Sequence, residues 1–292
     1  MSNVTPIAVV VVVIELLPGL VFGVGGERVQ RAISGWPHSW RAAAPGLLAL
    51  PYATVAVSSH MFRWKWLALY SILPVVIAWL LSQAAAADPE QRGNWRDALI
   101  LLTLGLAVDL RCFDRAWPTG LRGLGNLLLL DAGLYGFLGI RRLSGTGFDF
   151  HFRWSDWKTG LRELVFFAPI VITLGTALGF IHPHKNIPPV GRAVASWVGI
   201  FVFVAVLEEL FFRAWVQNLL ERRIGRRMAL IIASVLFGLS HFNKRSAHFN
   251  WRYVVLATIA GIFYGRAWRE QRRVPASAIT HTCVDWLWYL WF

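Results

Sequence analysis

The chain is 292 residues long and 56% hydrophobic, with a mean hydropathy of +0.51 and 16 Trp, 19 Phe and 6 Tyr, more apolar surface than a water-soluble domain of this size can hide. Its formal charge of +13 and pI near 10.8 could suggest a nucleic-acid partner. The arginines, however, fall in short clusters between apolar runs, as orienting charges do in a multi-pass membrane protein, and that arrangement argues against nucleic acid.

In chain order, apolar runs recur at about 4–22, 43–60, 66–87, 97–113, 123–140, 161–181, 193–220, 228–243, 252–268 and 276–291. About 20 residues cross the hydrocarbon, so the expected fold is an all-α polytopic transmembrane bundle of about eight to ten helices, the second and fourth runs being weak. The first run lacks a basic leader and a small-residue cleavage site and carries Glu15 and Pro18; it reads as a retained span. Pro45, Pro51 and Pro74 punctuate the first half, where neighbouring helices must satisfy the carbonyls they free. Asp109, Asp114 and Asp131 lie in or beside spans of that half without a common pattern, and Asp88 and Glu90 flank Pro89 in a turn. Cys112 and Cys283 match no disulfide, redox or metal spacing.

The polar segment 141–160 is the longest break in the pattern and divides an N-terminal region, 1–150, from a C-terminal core, 151–292. Trp154 and Trp157, with Arg153 and Lys158, suggest an amphipathic piece lying at the headgroup level. Basic loops at 141–162, 222–227 and 266–273 alternate with the less basic 182–192 and 242–252. The positive-inside rule places the former in the cytoplasm and the C-terminus outside. Glycines four residues apart, Gly19/Gly23, Gly175/Gly179 and Gly261/Gly265, are the kind of pair that lets helices approach closely in lipid.

Three polar sets stand inside these apolar runs. Glu208, Glu209 and Arg213 come first; Glu209 and Arg213 are i and i+4 with the acid N-terminal, the favoured pairing. Glu208 lies about 100° around the helix and is left free for chemistry. The set could equally be a structural knot joining helices. Phe237 and His241 share a face of the next run, where His241 could serve packing alone. His281 and Asp285 repeat the i, i+4 spacing on the last run, where a plain hydrogen bond would also account for them. Counted from the cytoplasmic ends, the three sets lie at overlapping depths of roughly 14–20 Å. Polar groups without water must face one another, so Glu208, His241, His281 and Asp285 are expected to line one wet cavity.

Glu-Glu-x-x-x-Arg at 208–213, Phe-x-x-x-His at 237–241 and His-x-x-x-Asp at 281–285, on successive apolar helices, resemble the CAAX-protease and bacteriocin-processing family, the glutamate-type intramembrane proteases that include the Ras-converting enzyme. The resemblance covers about 161–292. It implies an endopeptidase in which Glu208 and His241 activate a water, His281 and residue 285 hold the oxyanion, and Glu209, Arg213 and Phe237 support them. The family's last position is often Asn; here it is Asp285, which when ionised cannot donate to an oxyanion and is expected to orient His281 instead.

No cofactor is expected. Glu208, His241 and His281 would also make a zinc ligand set with water as the fourth ligand, but the chain has no His-Glu-x-x-His, and its one close pair, His182/His184, sits in a polar loop. The expected partners are membrane lipid and a peptide or protein cleaved near the membrane, and the expected location is a bacterial inner membrane. The other readings are a non-catalytic bacteriocin-immunity-like membrane protein of the same fold, and a proton-coupled transporter, for which the inverted repeats common to such folds are missing.

Overall fold

The computed structural model describes residues 6–184, 187–244 and 248–292. Residues 1–5, near the start of the first predicted span, and 185–186 and 245–247, in the two less basic loops, lie outside the described residues. The chain is 80% helical, with ten helices and no strand among the described residues. Five helices are long and apolar enough to cross a membrane, and the protein is an integral membrane protein.

The chain divides into two compact units, residues 1–144 and 145–292. In the first, α1 (Pro6–Gly35) is interrupted at Gly25, whose φ of −140° is not helical. Short turns over His38–Ala43 and Ala44–Leu48 lead to α2 (Ala49–Ser58). There follow α3 (Trp64–Ala87), α4 (Trp95–Asp109), capped at both ends of its first turn by Asn94 and Asp97, and α5 (Thr119–Ile140). The 43–60 run is therefore a broken string of short helical pieces, consistent with Pro45 and Pro51 interrupting it. Trp117 donates its indole N–H to the Tyr70 hydroxyl at 2.7 Å inside this unit. The buried Arg141 guanidinium pairs with Asp88 at 2.6 Å and Asp97 at 3.1 Å, so Asp88 serves as more than a turn residue.

The second unit comprises α6 (Trp154–Ala177), α7 (Val190–Ile224), α8 (Arg226–Leu239), α9 (Trp251–Gln271) and α10 (Val274–Trp291). The tryptophan-rich piece forms the first turns of α6. Asp156 fixes that start by accepting the Arg153 backbone N–H at 2.9 Å. Residues 145–150 belong with this unit because Thr146 and Gly147 are stitched to the α9–α10 corner. Trp268 Nε1 donates to the Thr146 carbonyl, and the Val274 N–H donates to the Gly147 carbonyl, both at 2.9 Å. Gly147 has φ +68°, and a Cβ there would come within 1.7 Å of the Arg272 carbonyl oxygen, so only glycine fits. Of the three glycine pairs, Gly261/Gly265 makes a close helix contact. A Cβ on either would press on Ser234 or Leu230 of α8.

The basic loops gather at one end of this unit. Arg273 bonds Asp149 at 2.8 Å and Asp156 at 2.7 Å, Arg272 reaches Asn218 and Glu221, and Arg269 donates to the Arg226 carbonyl. At the opposite end the His184 N–H donates to the Trp291 carbonyl, and Phe180 and Tyr253 pack on Trp288.

Candidate active site

An α-helix cannot accept a charged residue in lipid without an internal partner, and the middle of α7 carries three, Glu208, Glu209 and Arg213. Around them its backbone relaxes to π-type hydrogen bonding, over Phe201–Ala205 and Leu210–Gln217, leaving one regular turn, Val206–Glu209, under the carboxylates. Such widened turns are frequent at functional sites. Glu209 and Arg213 are wholly buried and paired at 2.9 Å. The second Glu209 oxygen faces His281 Nδ1 on α10 at 2.9 Å, and the Ser277 hydroxyl donates to the oxygen shared with Arg213. Glu209 thus joins the α7 guanidinium to the α10 imidazole and sets the direction of the ring. The Tyr264 ring lies parallel to His281 at 4.6 Å and closes its other face.

His241 stands just beyond α8, which ends at Leu239; the i, i+4 relation to Phe237 is kept by a bond rather than by helix geometry. His241 Nδ1 lies 2.8 Å from the Phe237 carbonyl. A carbonyl only accepts, so Nδ1 carries the proton and Nε2 presents its lone pair. The buried Phe237 ring separates the two imidazoles, 4.9 Å from His241 and 5.7 Å from His281, beneath the Arg213 guanidinium.

Glu208 faces these groups. Its Oε2 is 4.0 Å from His281 Nε2 and is buried without a hydrogen-bond partner, while its Oε1 lies 3.5 Å from the Lys244 ammonium. Lys244 is in turn 3.5 Å from His241 Nε2. Asp285 lies on the Nε2 side of His281 at 3.6 Å, so Glu209, through Nδ1, is the closer orienting partner. Contacts thus link Glu208, Glu209, Arg213, Phe237, His241, His281 and Asp285, but of the four expected to line one cavity only His241, His281 and Asp285 do so; Glu208 meets the group through His281 and Lys244. A cavity of about 80 Å³, room for a few water molecules, touches His241, His281 and Asp285 and continues between apolar side chains of α6, α9 and α10.

Three participants carried no sequence signal. Lys244 lies in a polar loop, where a lysine is ordinary; its position is set by Asn250, which caps α9 and donates from Nδ2 to the Lys244 carbonyl at 3.1 Å. Ser277 and Tyr264 are unremarkable in apolar helices until their partners are seen. The zinc set of Glu208, His241 and His281 fits this arrangement poorly, since an ammonium stands between Glu208 and His241 where a shared dication would bind. No cluster of three His, Cys, Asp or Glu side chains among the described residues is arranged to hold a metal.

Residues 190–287, which span α7, α8, α9 and most of α10, match the family model described as Type II CAAX prenyl endopeptidase Rce1-like. No curated protein and no solved structure matches the chain.

Proposed function

We propose that this Rce1-like segment is an intramembrane endopeptidase of the glutamate type, hydrolysing a peptide bond in a membrane-associated protein or peptide tail, in a bacterial inner membrane. The observation that carries the reading is Glu208, placed 4.0 Å from His281 and linked to His241 through Lys244, each 3.5 Å away.

A water within reach of Glu208 gives up a proton to the carboxylate as its oxygen adds to the scissile carbonyl, with His241 Nε2 and Lys244 alongside. The oxyanion that forms is met by two positive groups, the Lys244 ammonium and a doubly protonated His281 that donates from Nδ1 to Glu209 and offers Nε2–H to the substrate. Collapse breaks the C–N bond, and the proton held by Glu208 passes to the leaving amine. In this scheme Asp285, 3.6 Å from His281, balances its charge and donates nothing to the oxyanion. The sequence needs no metal, because a carboxylate, two imidazoles and an ammonium supply the base, the oxyanion donors and the proton. The apolar walls beyond His281, from α6 and α9, suit a substrate that arrives from the lipid.

The test is cleavage of a membrane-tethered reporter by Glu208→Gln and His241→Ala proteins, with accumulation in the membrane measured in parallel. Both variants are expected to accumulate and to lose at least 99% of activity; full cleavage by either defeats the proposal. Activity of the metal-analysed wild-type protein should also survive chelator. Loss of activity restored by stoichiometric zinc would replace the metal-free scheme.

A further inference from the structure

We propose that the first unit holds a binding site for a lipophilic cation, an organic ammonium carried on an apolar body, with Glu15 of α1 and Asp131 of α5 as its counter-charges. Both side chains line a cavity of about 630 Å³ framed by α1, the 44–54 stretch and α5, a volume typical of small-molecule sites. Each is only 3% exposed, yet neither Glu15 oxygen has a hydrogen-bond partner, and Asp131 Oδ2 has none either. No ion pair of the described residues compensates them. Two carboxylates without counter-charge among hydrocarbon are strongly disfavoured unless something supplies the missing donors.

The rest of the wall narrows the choice of ligand. Apart from the Trp36 indole N–H it is apolar but for two hydroxyls already committed elsewhere, Thr54 to the Leu50 carbonyl and Tyr135 to the Arg41 carbonyl. The Arg41 side chain lines a different cavity. An inorganic cation would need about six oxygen ligands, more than two carboxylates supply. An anionic lipid headgroup would be repelled, and a neutral apolar molecule would leave both carboxylates unsatisfied. An ammonium satisfies them with its N–H donors while its apolar body fills the remaining volume, and the rings of Phe22, Trp36 and Tyr135 on the wall offer their faces to the cation.

The site is independent of the chemistry in the second unit and is tested by binding. The purified full chain, in nanodiscs of phosphatidylcholine, is titrated with rhodamine 6G and followed by fluorescence anisotropy. Saturable binding is expected, weakened at least tenfold by Glu15→Gln or Asp131→Asn and lost in the double variant. Val10→Trp provides a control for misfolding, because Val10 lines the cavity with its side chain 56% exposed. It narrows the site while keeping both carboxylates and is also expected to weaken binding. A neutral BODIPY dye of similar size should not compete. Absence of saturable binding, undiminished binding by the double variant, equal competition by the neutral dye, or carboxylate-dependent binding of ²²Na⁺ in place of the dye would each overturn the proposal.

Discussion

At the scale of single residues, the informative signal was expense. Glu208, Glu209 and Arg213 in an apolar run, and His281 and Asp285 in another, are intelligible from sequence because hydrocarbon tolerates such groups only with partners. Which group partners which could not be read, since that depends on how α10 faces α7. Glu209 was expected to answer Arg213 alone, yet it also turns His281, with a distance of 2.9 Å to each. Arg213 has no other hydrogen-bond partner among the described residues, both terminal nitrogens being unsatisfied. Glu209→Gln should therefore leave a buried guanidinium uncompensated and lower stability by about 3–5 kcal/mol, read as a fall in Tm of the purified protein; an unchanged Tm would show the pair to be dispensable. Lys244 is different, because its side chain is 37% exposed and bridges Glu208 and His241 without supporting the core. Lys244→Met is expected to keep Tm and KM and to lower kcat roughly hundredfold, the loss that follows removal of one oxyanion donor. Unchanged kcat would remove Lys244 from the mechanism.

Among the elements, periodicity located most of the helices and failed where tertiary contacts decide an end. The 228–243 run predicted His241 inside a helix, but α8 stops at Leu239 and Asn250 holds the Lys244 carbonyl. The 161–181 run missed the first turns of α6, whose polar residues face the α9–α10 corner rather than lipid. That corner also carries an acid-sensitive lock. Burial alone would raise the Asp149 carboxyl, but hydrogen bonds from Arg273 and His151 outweigh it and hold the group down at about 2. A carboxyl depressed in the folded state contributes stability above its unfolded value near 4 and loses it as pH falls through its folded value. The Tm difference between wild type and Asp149→Asn should thus stay constant from neutral pH to about 4 and shrink toward zero near pH 2. A difference that persists at pH 2, or that disappears above pH 5, would show that the lock does not act through this ionisation.

For the whole molecule, charge placement orients the chain, and the second unit makes the argument concrete. Arg226, Arg269, Arg272 and Arg273 meet at one end, whereas Trp288, Trp291 and Tyr253 near the start of α9 occupy the other. His241 and Lys244 follow the end of α8 remote from the arginines, so the site opens away from the basic face. The positive-inside rule assigns the arginine end to the cytoplasm, and the proposed hydrolytic water then enters from the opposite side of the membrane. Cys112 is exposed and Cys283 buried, so a Cys112→Ser background leaves little accessible thiol for labelling to confuse. In sealed right-side-out vesicles of that background, a cysteine replacing Lys244 should react with a membrane-impermeant maleimide, while one replacing Arg226 should react only after permeabilisation. The reverse pattern would invert the protein in the membrane and move substrate entry to the cytoplasmic face, while leaving the distances among Glu208, His241 and His281 as they are.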